Sequence, residues 1–98
     1  MKIEKMQEGR KLTIALEGRL DTTTAPVLES ELKNILDGVE ELVFDFSKLE
    51  YISSAGLRVL LFANKTIWGK GAMKVTNVNE LVQEVFEVTG FSSFLTIE

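Results

Sequence analysis

The strongest constraint on this chain is the regular alternation between two kinds of apolar spacing. Apolar residues recur at every second position over residues 12–16, which is the spacing of a strand with one face more buried than the other. Over residues 25–36 they recur at helical spacing. A short apolar run at residues 41–46 and a helical stretch at residues 54–68 repeat this order of a strand followed by a helix. Strict alternation of strand and helix predicts parallel strands joined by right-handed crossovers, with helices packed on a sheet.

The remaining segments complete an α/β fold with a mixed sheet of four or five strands. "KIEKM" is predicted to be a short edge strand, paired through a turn at Gln7-Glu8-Gly9, and "FLTIE" a weak last strand. Asn77 and Glu80 have the spacing of a capping box. They precede a third helical stripe, which comprises Val78, Leu81, Val82, Val85, Phe86 and Thr89. We therefore predict one domain, residues 1–98, with three main helices on the sheet.

The pattern also predicts which elements are neighbours. Residues 42–46 and 73–76 should form adjacent, parallel inner strands, linked through the helix at 54–68. The side chains that should face the sheet from that helix are Leu57, Leu60 and Leu61. The first helix should begin after threonines that suit an N-cap, with Pro26 in its first turn, and should stop at Gly38.

Composition narrows the function classes. The 98 residues include no cysteine and no histidine, and the net charge is −4. The missing cysteines exclude disulfides and thiolate zinc sites and agree with a cytoplasmic location. Acidic residues spread along the chain argue against nucleic acid as a partner. No apolar run reaches the roughly 18 residues of a membrane span, so we expect no membrane insertion.

No constellation of catalytic residues is present, so we predict that the protein is not an enzyme. Histidine, the usual acid–base group near neutral pH, is missing. "GKGAMK" lacks the spacing of a phosphate loop, and it ends a helix instead of opening one. Asp21, Asp45 and Glu50 do not have the spacing of a metal-binding loop, and we expect neither a metal nor a cofactor.

Two polar junctions remain as candidate sites. In "YISSAGL", Ser53 is placed to cap a helix, which would leave the hydroxyl of Ser54 free, and Gly56 would permit close approach of another group. Alternatively, both serines only cap and Gly56 only packs. In "GRLD", Asp21 follows a strand in the same way, either as a cap or as part of a shared site. Ligands commonly bind where the carboxyl ends of parallel strands meet.

Two segments resemble the STAS domain, the family of sulphate transporters and anti-sigma factor antagonists. They are "EGRLDTTTAPVLESEL" and "LVFDFSKLEYISSAGLRVLL", and "VTNVNELVQEVFEVTGFSSFLTIE" is similar to the family's last strand, helix and strand. The bacterial antagonists are the most similar group. The resemblance implies a protein that binds a serine-kinase anti-sigma factor and so frees a sigma factor. The kinase ends the binding by phosphorylating a serine, and a phosphatase of the PP2C type reverses the modification.

The resemblance also implies which residues carry this function. The acceptor serine of the family falls on Ser54, with Ser53 as the second candidate, and the family's loop aspartate falls on Asp21. Ser53 stands where the family usually has aspartate, and Ala55 where it has serine or threonine. The predicted partner surface comprises Asp21, Thr22, Ser53, Ser54, Gly56 and Arg58. The alternative function is a STAS scaffold that is not phosphorylated, beside a lipid-transport ATPase or in a signalling complex.

Overall fold

A computed structural model describes all 98 residues, which fold around one five-stranded sheet. The strands lie side by side in chain order; β1 and β2 are antiparallel, and every other neighbouring pair is parallel. This arrangement confirms the predicted mixed sheet with parallel inner strands. The strands are β1 (Lys2–Glu8), β2 (Lys11–Leu20), β3 (Glu41–Ile52), β4 (Ala72–Thr76) and β5 (Thr96–Ile97).

Three helices provide the predicted connections. They are α1 (Ala25–Ile35), α2 (Ser54–Ile67) and α3 (Glu80–Thr89), and a short 3-10 helix (Phe91–Ser93) leads into β5. The buried side chains of all three helices form one cluster with one face of the inner strands, so the helices cover the same side of the sheet. The strand residues at the centre of this cluster include Ile14, Leu42, Phe44 and Val75. None of the three helices has both the length and the apolar character that a bilayer span requires.

The predicted neighbours pair as expected, with one error in the phase of α2. Strands β3 and β4 are parallel, with Leu42 beside Met73, and α2 connects them. Leu57 and Leu60 are buried, but Leu61 is only half-buried and lies outside the core cluster. The prediction for Leu61 was wrong because α2 packs against α1 as well as the sheet. Its buried arc therefore turns toward Val59, Ala63 and Ile67.

The start of α3 also differs from the prediction. Asn79, not Asn77, caps this helix, and its side-chain oxygen accepts a hydrogen bond from the Val82 amide at 2.8 Å. Asn77 instead has a positive φ of 58°, a conformation that asparagine tolerates better than most residues. Its side chain donates to Asp45 of β3 at 3.0 Å. The spacing of Asn77 and Glu80 was therefore a coincidence.

Candidate functional site

The two polar junctions of the sequence lie side by side at the carboxyl ends of β2 and β3. Leu20 and Ile52 are paired at the last position of these strands, and the next residues are Asp21 and Ser53. The Ser53 amide donates to the Leu20 carbonyl oxygen at 2.9 Å, which ties one junction to the other. We call the surface formed by Asp21, Thr22, Ser53, Ser54 and Arg58 the rim.

The two serines of the rim have different surroundings. Ser53 has extended backbone angles and caps α2, with its side-chain oxygen accepting from the Gly56 amide at 3.5 Å. Ser54 is the first residue of α2 and is exposed. Its hydroxyl makes no hydrogen bond with the rest of the chain. The fold therefore uses the hydroxyl of Ser53 and leaves that of Ser54 free.

Gly56 allows the first turn of α2 to lie directly on the ends of β2 and β3. A Cβ at this position would be 2.7 Å from Cγ of Leu20 and 2.8 Å from Cγ1 of Ile52. Gly56 is itself buried. The groups that approach this glycine are thus core side chains, and its effect on the rim is to position Ser53 and Ser54.

Asp21 organises the loop before α1. Its Oδ1 accepts hydrogen bonds from the amides of Thr23 at 3.0 Å and Thr24 at 3.2 Å, and from the Thr23 hydroxyl at 2.8 Å. The Thr24 hydroxyl in turn accepts from the Asp21 amide at 2.8 Å. Thr24 occupies the N-cap position without a capping bond from its own side chain, so the predicted threonine cap does not form. The Ala25 amide donates instead to the backbone carbonyl oxygen of Asp21 at 2.8 Å.

These hydrogen bonds fix the charge of Asp21. The bond from the Thr23 hydroxyl, followed by those from the Thr23 and Thr24 amides, lowers the pKa of Asp21 below its ordinary value of 3.8. Each bond favours the ionised carboxylate, because an ionised oxygen is the better acceptor. Nε of Arg19 lies 3.9 Å from Oδ2 of the same carboxylate. Asp21 is therefore a fixed negative charge at the rim near neutral pH.

A shallow groove of about 330 Å³ runs between the first turns of α1 and α2. Thr22, Pro26 and Glu29 line one side of it, and Ala55, Arg58 and Val59 line the other. Arg58 is exposed and forms no ion pair or side-chain hydrogen bond. Glu29 pairs with Lys33 at 3.7 Å instead. Arg58 is thus a free cation beside the junction that carries Ser54.

Sequence reasoning missed an interaction beside the rim. The guanidinium of Arg19 lies over the ring of Tyr51, 4.4 Å from its centroid, within the range of a cation–π interaction. The two residues are paired across β2 and β3. Arg19 precedes Asp21 by the same two positions by which Tyr51 precedes Ser53. That equal offset becomes meaningful only once the pairing of β2 and β3 is known.

The carboxylates considered as metal ligands do not come together. The structure has no group of three or more histidine, cysteine or acidic side chains close enough to hold a metal ion. Asp45 instead accepts from the side chain of Asn77 and the amide of Ser47, both at 3.0 Å. The bond from Asn77 is the main cause of its lowered pKa. Asp45 fixes the connection between β4 and α3.

Comparison with known proteins agrees with the fold and the order of its elements. The profile of the STAS domain matches residues 2–98, nearly the whole chain. The chain belongs to the STAS domain family. The resemblance carried by the two junction segments is therefore confirmed at the level of the family.

Two relatives of this STAS domain are named for a role in regulation. BtrV of Bordetella bronchiseptica, provisionally assigned as an anti-sigma factor antagonist, is 38% identical over 88 residues, which cover 88% of this chain and 76% of BtrV. The anti-sigma-B factor antagonist of Bacillus subtilis strain 168 is 24% identical over 96 residues, 97% of this chain and 88% of that protein.

Solved structures share the fold at lower sequence identity. The unphosphorylated form of the anti-sigma factor antagonist SpoIIAA has a TM-score of 0.86 at 18% identity, covering 99% of this chain and 88% of that one. The phosphorylated form of SpoIIAA, described as a Bacillus cell fate determinant, has a TM-score of 0.76 at 17% identity, with 99% and 91% covered.

Proposed function

We propose that this STAS domain is an anti-sigma factor antagonist that binds a serine-kinase anti-sigma factor through the rim. Two relatives that align over most of the chain are named anti-sigma factor antagonists, one of them provisionally. The observation that carries the proposal is that the two serines have different roles in the fold. Ser53 caps α2, whereas Ser54 offers an exposed hydroxyl that the fold does not use. Binding of the anti-sigma factor at the rim leaves the sigma factor free for transcription.

Phosphorylation of Ser54 switches the binding off in this proposal. The kinase supplies ATP; the Ser54 Oγ forms a new bond to the γ-phosphorus, the bond from that phosphorus to ADP breaks, and the serine proton passes to a base of the kinase. A PP2C-type phosphatase uses water to break the new bond and returns the hydroxyl and free phosphate. The modification adds about −1.5 to −2 charges at neutral pH. It does so at a surface that already carries Asp21.

The added charge is sufficient to release the partner. A surface that fits a neutral serine must bury or repel the phosphate, at a cost of about 2–5 kcal/mol by analogy with unpaired charges at interfaces. This cost corresponds to roughly a 30- to 5,000-fold loss of affinity. Because the Ser54 hydroxyl supports no hydrogen bond in the fold, the phosphorylated protein should remain folded.

The test is phosphorylation of the purified protein by the anti-sigma factor kinase of the same organism, with the site mapped by mass spectrometry. Calorimetry then compares the affinity of the unmodified and phosphorylated forms. Ser54→Ala should bind the partner and accept no phosphate, and Ser54→Asp should bind with intermediate affinity. Ser53→Ala is the matched control, since it removes the neighbouring hydroxyl and should still be phosphorylated. Phosphate on Ser53, or equal affinity of the two forms, would contradict the proposal.

A second candidate function is a STAS scaffold that is not phosphorylated. Two substitutions favour it: Ser53 in place of the family's aspartate and Ala55 in place of a hydroxyl residue. Each changes the immediate surroundings of the acceptor. The variant Ser53→Asp separates the candidates, because it restores the family's charge while keeping a good helix cap. If Ser53→Asp is phosphorylated and the natural chain is not, the scaffold function is the correct one.

A further inference from the structure

Arg58 is the one cation of the rim that has no partner. Glu29 on α1 lines the same groove as Arg58, and Asp21 lies at the other junction of the rim, but each of these carboxylates is close to another cation. Nε of Arg19 is 3.9 Å from the carboxylate of Asp21, and Nζ of Lys33 is 3.7 Å from that of Glu29. Arg58 is therefore unpaired even though an acidic side chain lines the same groove.

Ser54 and Arg58 are four residues apart on the exposed side of α2. Residues at this separation in a helix are neighbours on its surface, with Cβ atoms about 5–6 Å apart. The long arginine side chain can span this gap and present its planar guanidinium to a phosphate through two parallel hydrogen bonds. The order also favours pairing, because an anion four residues before a cation is better than the reverse.

We propose that Arg58 is the internal counter-ion of phosphorylated Ser54, an inference that rests on the proposed function of that serine. In the unmodified protein Arg58 is available to an acidic surface of the partner. After phosphorylation its guanidinium binds the phosphate one turn earlier on the same helix. The modification thus changes the rim twice: it adds a negative charge, and it withdraws the cation that the partner would contact.

The pairing can be measured without the kinase. Phosphoserine is incorporated at position 54 during translation, and the ³¹P signal is titrated with pH at low ionic strength. Arg58 favours the dianionic form of the phosphate. The dianion should therefore take up a proton at lower pH in the natural sequence than in Arg58→Gln. The expected difference is roughly 0.3–1 pH unit. It should diminish in 1 M salt, where charges on an exposed surface are screened.

Two variants serve as controls for this titration. Lys65→Gln removes another exposed cation of α2, seven residues beyond Arg58, and should leave the phosphate titration unchanged. Arg58→Lys keeps the charge and should retain most of the difference. If the titration is the same in Arg58→Gln as in the natural sequence, the inference is wrong.

Failure of this inference is distinguishable from failure of the proposed function. Calorimetry on the same phosphoproteins shows whether the phosphate releases the partner. Loss of binding with no Arg58 effect on the ³¹P titration would overturn the counter-ion role and leave the switch intact. A clear Arg58 effect with unchanged partner affinity would support the pairing and contradict the switch.

Discussion

The starts of α1 and α2 occupy equivalent places but are built differently. Both helices follow a strand at the same edge of the sheet, and their strands end at the paired residues Leu20 and Ile52. Before α1, one carboxylate oxygen of Asp21 accepts several hydrogen bonds from Thr23 and Thr24, the shortest at 2.8 Å. Before α2, Ser53 accepts one bond at 3.5 Å.

This difference shows how the carboxyl ends of two neighbouring strands can hold both a fixed charge and a hydroxyl that the fold leaves free. The hydrogen bonds of Asp21 lock its loop and keep its carboxylate ionised. The α2 junction is held instead by apolar packing beneath Gly56, which leaves the hydroxyl of Ser54 uncommitted. A group that contributes nothing to the fold can be modified without loss of stability. The three stability predictions below test this division.

The largest effect is expected at Gly56, where packing holds the α2 junction. Gly56→Ala places a methyl group against Leu20 and Ile52 and should lower the free energy of unfolding by about 1–3 kcal/mol. Denaturant titration measures it. In the background of Leu20→Ala the penalty should shrink, since the nearest atom is gone. An unchanged penalty in that double variant would show that the strain arises elsewhere.

The second prediction concerns the charge at the α1 junction. The folded protein holds the pKa of Asp21 below its unfolded value, so this carboxylate contributes stability that is complete above the unfolded pKa and is lost as pH falls through the folded pKa. Asp21→Asn should therefore be less stable than the natural sequence at neutral pH, and the difference should narrow in acid, below about pH 4. Unfolding measured at several pH values tests this.

Asp45→Asn provides the comparison for that experiment. The pKa of Asp45 is also lowered, but its hydrogen bonds lie at the connection between β4 and α3. Asp45→Asn should also be less stable than the natural sequence at neutral pH, with a difference that narrows in acid. It should leave partner binding unchanged. If the stability difference between Asp21→Asn and the natural sequence is the same at every pH, the ionised carboxylate is not the form that stabilises the fold.

The smallest effects separate the two serines. Ser53→Ala should lower stability by about 0.5–1 kcal/mol, the lower part of the range for a lost N-cap, because the bond it removes is long. Ser54→Ala should change stability by less than about 0.5 kcal/mol, as expected for an exposed residue without a bonded partner. Chemical denaturation of both variants gives the order. The reverse order would place the cap at Ser54.

The sequence predicted those features that depend on neighbouring residues in the chain. Alternating apolar spacing indicated the order of strands and helices, and the position of Ser53 before a helical stripe indicated its cap. The same local reasoning failed for Asn77, whose side chain bonds to a residue 32 positions away on β3. Nothing in the residues around Asn77 reports that distant carboxylate.

Contacts between strands explain the other omission. Whether Arg19 lies beside Tyr51 depends on how β2 and β3 pair, and that pairing contains two shifts of register, between Ala15 and Glu17 and between Gly18 and Arg19. The alternation of apolar residues along a single strand does not show where such register shifts occur. The rim could thus be predicted as a place where strands end, but the Arg19–Tyr51 interaction beside it could not.

The order of the strands has a consequence for how the molecule is made. Because each strand pairs with the one that precedes it, every strand is synthesised after the neighbour on one of its sides. No strand has to insert between two earlier ones to complete the sheet. The two residues of β5 form the edge opposite β1, so the last strand made lies at the margin of the sheet.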